Sequence, residues 1–198
     1  MSGSALATQP IIAVQNAQGG TVTTDNTTQV SVAIASGAGG TLGGIQTVTA
    51  VNGIATFTNL TLTGTVGVNY VLQFTASPAL TPVNSGNVTV TAGAPTNLTI
   101  TIEPGSTATS GTTLSQTVVQ LRDANGNAVA TPNIPISVAL NPGGPNGGGL
   151  SGTLTVLTNS SGAATFSDLV ITGPPGNYKL RFTSGSLNHA ISINIMVN

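Results

Sequence analysis

Hydrophobic and polar residues alternate along much of the chain with a period of two. Near the end of the chain, Tyr178, Leu180 and Phe182 fall on one side of an extended segment. The residues between them, Lys179 and Arg181, fall on the other side. Such alternation is typical of a β-strand with one buried and one solvated face. We therefore predict that the aromatic side is buried and that the two cations face water.

The same pattern occurs twice in the chain. Five segments align with their counterparts at an offset of between 106 and 109 residues, and all six aromatic residues fall in matched pairs. We interpret this as a tandem duplication of a domain of about 100 residues. We place the domains at residues 1–93 and 94–198, with a short Pro-containing joint near Ala92–Thr96. The matched segments are 53–57 with 162–166, 58–64 with 167–173, 69–75 with 177–183, 30–34 with 136–140, and 15–20 with 122–127.

Short segments rich in Val, Ile and Thr are separated by turn dipeptides, and this spacing indicates a β-sandwich. A tyrosine opens the penultimate predicted strand of each copy, which is typical of the tyrosine corner of immunoglobulin-like sandwiches. We predict an all-β fold of two tandem immunoglobulin-like β-sandwich domains. The predicted turns are Asn52–Gly53, Asn125–Gly126, Ser161–Gly162 and Pro175–Gly176.

The second copy carries a recognisable repeat. Leu121–Val129, followed by Ile136–Val138 and later by Gly162–Phe166, resembles the bacterial immunoglobulin-like repeat of invasin-type surface proteins. The resemblance covers nearly all of the second copy, and the first copy more loosely, because Asn16–Gly20 lacks the acid. It implies an extracellular structural role, as a stalk module that holds an adhesive or enzymatic tip away from a cell surface.

The two copies differ most at their beginnings. The second copy has a β-like run, Asn97–Glu103, upstream of Gln116, whereas the matching Gln9 has only eight residues before it. We therefore predict that the domain of residues 1–93 lacks its first strand. Two explanations stay open: the sheet edge is solvated, or another copy or a partner supplies a strand. Head-to-tail donation between copies would give a homo-oligomer or a filament.

Charged residues make up 4% of the chain, against roughly a quarter in an ordinary soluble domain. The chain has three Lys and Arg, four Asp and Glu, one His and no Cys. Without a basic patch we expect no nucleic-acid partner. Without a run of about 20 apolar residues we expect no membrane insertion. Catalysis, metal binding and cofactor binding mostly need titratable groups that are scarce here, so we predict none of them.

Five residues or segments have the form of functional motifs, but each has a simpler interpretation. Asp123–Asn127 has alternating oxygens like a calcium loop, yet it lacks the later glutamate, and its Asn-Gly favours a turn. Gly147–Gly152 fits G-x-G-x-x-G, but a strand-like segment follows it, so we predict a flexible loop. His189, beside the last predicted strand, has no acid nearby in sequence, which favours a surface or edge histidine. Asp25 is the single acid of the first domain, so a carboxylate pair is excluded there. Lys179, the only lysine, is predicted to point outward, which argues against an intramolecular isopeptide crosslink.

The leading hypothesis is a non-catalytic structural module of an extracellular stalk, fibre or adhesin. The alternative is a glycan- or protein-binding module of a surface protein or virion. Core packing explains every aromatic position and tryptophan is absent, which disfavours glycan binding. Met1–Thr8 lacks the charged start and apolar middle of a secretion signal. We expect an extracellular or cell-surface location, with a virion as the other possibility, and no ligand-binding residue is indicated by the sequence.

Overall fold

The computed structural model describes residues 1–198, all of whose regular elements are β-strands. The chain divides into two compact units, Met1–Ala92 and Gly93–Asn198. Each unit is an immunoglobulin-like β-sandwich built from short strands, so the predicted fold class is confirmed. The structure contains no helix with the length and apolarity needed to cross a membrane.

Nine short strands build the first unit. They are β1 (Ile11–Ala13), β2 (Gln29–Ser36), β3 (Thr41–Gly43), β4 (Thr47–Thr49), β5 (Ile54–Thr56), β6 (Thr61–Thr63), β7 (Asn69–Ser77), β8 (Val83–Asn84) and β9 (Val88–Thr89). The largest sheet has the order β4-β2-β7-β8, and β9 also pairs with β7. The pairs β3-β6 and β1-β5 complete the sandwich.

Twelve strands build the second unit. They are β10 (Asn97–Ile102), β11 (Thr107–Ala108), β12 (Thr117–Arg122), β13 (Pro135–Leu140), β14 (Gly149–Ser151), β15 (Thr155–Leu157), β16 (Ala163–Phe166), β17 (Val170–Thr172), β18 (Gly176–Tyr178), β19 (Leu180–Thr183), β20 (Ala190–Ile191) and β21 (Ile195–Val197). The sheets have the orders β15-β13-β19-β20, β10-β12-β16, β11-β21-β18 and β14-β17. Only the β11–β21 pair is parallel.

The matched aromatic residues fill the two cores, as the alternation predicted. All six side chains are at most 5% exposed. The rings of Phe57 and Phe74 lie 5.7 Å apart in the first unit, and those of Phe166 and Phe182 lie 5.2 Å apart in the second. Both pairs are tilted, a geometry that contributes about 0.5–1.5 kcal/mol beyond the burial of area.

The two tyrosine hydroxyls bond to nearby backbone. Tyr178 donates its hydroxyl proton to the carbonyl of Pro174 at 2.9 Å, four residues upstream. Tyr70 accepts the N–H of Thr65 at 2.8 Å and donates to the carbonyl of Ala38 at 3.3 Å. Each hydroxyl therefore ties a loop to the strand that carries the ring, the role that a tyrosine corner has in immunoglobulin-like sandwiches.

Three of the four predicted turns form, and the fourth does not. Asn52–Gly53, Asn125–Gly126 and Ser161–Gly162 lie in turns whose glycines have φ between 75° and 79°. At Pro175–Gly176 the prediction was wrong, because the bend ends at Pro175 and Gly176 already belongs to β18. The glycine is needed there for close approach, since a Cβ would meet the ring of Pro145.

Candidate functional site: the open edge of the first unit

Strands β1 and β12 occupy matched positions, but only β12 is paired on both sides. β12 pairs with β16 on one side and with β10 on the other. β1 pairs with β5 alone. One edge of β1 is therefore open, at the place that β10 fills in the second unit.

The open edge directs backbone hydrogen-bonding groups away from the sheet. Toward β5, the N–H of Val14 donates to the carbonyl of Gly53 at 2.8 Å. Successive residues of a strand direct their N–H and C=O groups to opposite sides. Ile11 and Ala13 therefore direct theirs toward the open edge.

A groove lies along this edge. It consists of two adjoining cavities of about 560 and 630 Å³. Ile11, Ile12, Phe74 and Val83 line both cavities, and no charged side chain lines either of them. The groove is thus an apolar slot bounded by β1 on one side and by β8 on the other.

The side chains at this groove are more exposed than their counterparts in the second unit. Val83 of β8 pairs with Phe74 and is 49% exposed. Ala190 of β20 pairs with Phe182 in the same way and is only 9% exposed. Ile11 at the open edge is 65% exposed. The first unit therefore leaves uncovered an apolar surface that the second unit covers.

In the second unit, β10 closes the corresponding slot. Leu98 of β10 lies opposite Leu121 of β12 and is 6% exposed. Its N–H donates to the carbonyl of Asn188 at 2.9 Å, and the N–H of Asn188 donates to the carbonyl of Thr96 at 2.9 Å. β10 is therefore bonded on both sides, to β12 and to the segment before β20.

The segment before β1 does not take the place of β10. The N–H of Gly64 donates to the hydroxyl oxygen of Ser2 at 2.9 Å. In the second unit, the N–H of Gly173 donates to the hydroxyl oxygen of Ser110 at 3.1 Å. Residues 1–8 therefore correspond to the segment around Ser110, which follows β10, and the slot stays open.

The Asp123–Asn127 segment forms a closed turn around a buried carboxylate. Asp123 is 1% exposed. Its Oδ1 accepts the N–H groups of Asn125 and Asn127 at 2.9 and 2.8 Å, and its Oδ2 accepts the N–H of Gly93 at 2.9 Å. Burial raises the pKa of Asp123, but the hydrogen bonds from Gly93 and Asn127 outweigh this effect and hold the pKa below its ordinary value. The carboxylate is a structural acceptor for the turn.

Two of the other motif predictions need correction. Gly147–Gly152 is not wholly a flexible loop, because it contains β14, in which Leu150 lies opposite Ile171 of β17. Strand pairing at this leucine overrides the loop preference of the glycines. His189 is exposed, but it precedes β20 and not the last strand, β21. Its Nδ1 lies 3.5 Å from a guanidinium nitrogen of Arg181.

Two further acids also accept hydrogen bonds, Asp25 from nearby residues and Asp168 from Thr153, 15 residues before it. The hydroxyl of Thr28 and the backbone N–H groups of Thr27 and Thr28 lower the pKa of Asp25 to about 2. The hydroxyl and the N–H of Thr153 lower the pKa of Asp168. No group of three or more His, Asp or Glu side chains lies close enough together to hold a metal ion. The only lysine of the chain is exposed.

The comparison of the two copies pointed to their beginnings, but it gave no indication of the floor of the groove. Val83 and Leu80 lie after β7, outside the matched segments, and both are about half exposed. The match between Val83 and Ala190 follows from their pairing with Phe74 and Phe182, so it is visible only in the structure.

The fold and the tandem matches define an immunoglobulin-like β-sandwich protein. The family described as SMCHD1 Ig-like domain 6 matches residues 93–198. The chain therefore belongs to this family, through its second unit. The immunoglobulin-like part of the predicted resemblance is confirmed, and its invasin-type part stays a prediction.

Several solved structures are similar to the chain at low identity. The adhesin InvE of Yersinia pseudotuberculosis is 16% identical, with a TM-score of 0.39, over 100% of this chain and 55% of that one. The Escherichia coli adhesin FdeC is 18% identical, with a TM-score of 0.39, over 95% and 58%. A β-glucuronidase of Parabacteroides merdae is 14% identical, with a TM-score of 0.37, over 85% and 21%. The chain thus spans less than two thirds of each of these proteins. No curated protein sequence matches it.

Proposed function

We propose that the protein is a non-catalytic structural module of an extracellular stalk, fibre or adhesin at a cell surface. The resemblance of Leu121–Val129 to surface-protein repeats supports this role. The use of polar groups supports it further, because the carboxylates of Asp25, Asp123 and Asp168 already accept hydrogen bonds from the protein's own backbone. These acids act as structural acceptors.

We base our proposal for how such a module is joined to its neighbours on the open edge of β1. Strand addition to a sheet edge draws affinity from main-chain hydrogen bonds and specificity from pockets for alternate side chains. Ile11 and Ala13 supply the main-chain groups, and the groove beside them supplies the apolar pockets. We propose that a neighbouring subunit adds a strand here. Where the neighbour is another copy of the chain, head-to-tail addition gives a filament.

Self-assembly can be measured on the purified chain. Light scattering after size-exclusion chromatography, over a hundredfold range of concentration, and negative-stain imaging report association. We expect the wild type to associate and Val83→Asp to stay monomeric, because the new charge lies in the groove. Val51→Asp is the matched control, since Val51 is 64% exposed and lies outside the groove.

The outcomes separate two functions of the same edge. A wild type that stays monomeric at every concentration refutes self-assembly. It then favours the second candidate, a module that binds a different protein through the groove. Association that persists in Val83→Asp refutes the role of the groove in assembly.

A further inference from the structure

The filled slot of the second unit indicates which strand the open groove of the first unit takes. We infer that the groove binds an extended, uncharged segment of another polypeptide, antiparallel to β1, with aliphatic side chains at alternate positions. This inference rests on the proposed function in that it concerns the same edge. It adds the chemistry, direction and register of the bound strand.

Strand β10 is the template for this occupant. It runs antiparallel to β12, with Leu98 opposite Leu121 and Ile100 opposite Val119. Leu98 is buried and Ile100 is partly buried, whereas Thr99 between them is exposed. The slot of the second unit therefore takes two aliphatic side chains spaced two residues apart, and it leaves the residue between them in water.

The same register carries over to β1. Ile12 pairs with Ala55 of β5, as Val119 pairs with Ala164 of β16. Ile12 thus takes the place of Val119, and Val14, two residues further on, faces the next position for an inserted side chain. A bound strand would place one aliphatic residue opposite Val14 and the next opposite Ile12. Its backbone would bond to Ala13, which directs its N–H and C=O groups to the open edge.

The lining of the groove selects against charge. Neither cavity has a charged side chain that could pair with a charged residue of the bound strand. Burying an unpaired charge is strongly unfavourable. The template segment Asn97–Ile102 itself carries no charge. Asp, Glu, Lys or Arg at an inward position of the bound strand should therefore abolish binding.

β10 itself is committed to the second unit, where it fills the slot beside β12. If another copy donated its β10, its own Leu121 and Val119 would lose their cover. A segment with the same pattern as β10, but not β10 itself, is therefore the strand that we expect in the groove.

A synthetic peptide tests the inference on the full chain. The probe has the sequence of residues 96–102, Thr-Asn-Leu-Thr-Ile-Thr-Ile, with blocked ends and an N-terminal fluorophore. We expect saturable one-to-one binding by fluorescence anisotropy, and slower hydrogen exchange at the amides of Ile11 and Ala13. Aspartate in place of the peptide's leucine or first isoleucine should abolish binding. Val83→Asp should weaken binding at least tenfold, and Val51→Asp should leave it unchanged.

Several results would overturn the inference. They are the absence of saturable binding at millimolar peptide, equal affinity for the Val83→Asp protein, and slowed exchange confined to β12, where the peptide would have displaced β10. Circular dichroism checks that each variant is folded. Ala13→Pro removes an N–H from the open edge and is therefore a second test of the same edge. A monomeric chain that binds the peptide would refute self-assembly and uphold this inference. Filaments that the peptide neither blocks nor dissolves would uphold self-assembly and overturn this inference.

Discussion

Replacing Asp123 by asparagine tests how the start of the second unit is held to a turn. The Oδ2 atom of Asp123 accepts the N–H of Gly93 at 2.9 Å and the side-chain amide of Asn127 at 3.1 Å. In the Asp123→Asn variant, an NH₂ group replaces either this oxygen or Oδ1. At least one buried donor then faces another donor, and no water can take its place in so buried a site.

The magnitude follows from the matched turn of the first unit. There Asn16 occupies the position of Asp123, and its Oδ1 alone accepts the N–H groups of Gln18 and Gly20 at 3.1 and 2.9 Å. One side-chain oxygen is thus enough to form the turn, and the loss in Asp123→Asn is confined to the bonds of the other oxygen. Bonds to charged groups contribute about 1.5–3 kcal/mol each, and an unpaired buried donor costs about 1–3 kcal/mol. We expect the second unit to lose roughly 2–4 kcal/mol of unfolding free energy.

The effect should depend on pH in a defined direction. The pKa of Asp123 lies below its ordinary value of 3.8 in the folded protein. A carboxyl group with a lowered folded pKa contributes stability that is present above its unfolded pKa and is lost as the pH falls through the folded pKa. The difference between wild type and Asp123→Asn should therefore be full at pH 7 and shrink below about pH 4.

The assay is urea unfolding followed by amide NMR signals of the second unit, together with hydrogen exchange of the Gly93 amide. We expect faster Gly93 exchange and a lower unfolding midpoint in the variant at pH 7, with a smaller difference at pH 3. Asp168→Asn is the control, because Asp168 is exposed and does not bond to Gly93. Equal Gly93 exchange rates and equal unfolding free energies at pH 7 would refute the reasoning.

Four further substitutions test single residues. Asp25→Asn should lower the unfolding free energy of the first unit at pH 7, because the pKa of Asp25 is about 2 in the folded protein. The wild type should lose this stability as the pH falls from about 4 to 2, and the variant should not. Urea unfolding at several pH values measures the difference. Gly126→Ala should cost roughly 1–2 kcal/mol, since φ is positive but no atom is near. Gly162→Ala should cost more by thermal unfolding, because its Cβ would also strike the carbonyl of Val129; equal costs would contradict this. Tyr178→Phe should cost about 0.5–1.5 kcal/mol by urea unfolding through loss of one hydrogen bond, and an unchanged midpoint would count against the tyrosine corner.

Alternation and duplication were enough to predict the cores. Strands in a sandwich have one inward face, so a period of two identifies the buried residues wherever a strand is long enough to show it. Tyr178, Leu180 and Phe182 meet this condition, and their matches in the first copy repeat it. The turn dipeptides located Gly53, Gly126 and Gly162, whose φ values lie between 75° and 79°.

Other features depend on contacts that periodicity does not encode. The bond between Asp123 and Gly93 joins residues 30 positions apart, and nothing in either local sequence indicates the other. Ser2 lies in a short segment without apolar alternation, so its match to Ser110 was visible only in the hydrogen bonds. In Gly147–Gly152, the surrounding glycines favour a loop, but the pairing of Leu150 in β14 with β17 makes Gly149–Ser151 a strand.

The scarcity of charge has a consequence for how the proposed strand addition depends on salt. Contacts between charged surfaces weaken as dissolved salt rises, because mobile ions shield them. A groove lined without charge and a strand bonded through its backbone offer almost nothing for such ions to shield. The affinity of such a strand for the groove should therefore be about the same at low and at high salt concentration.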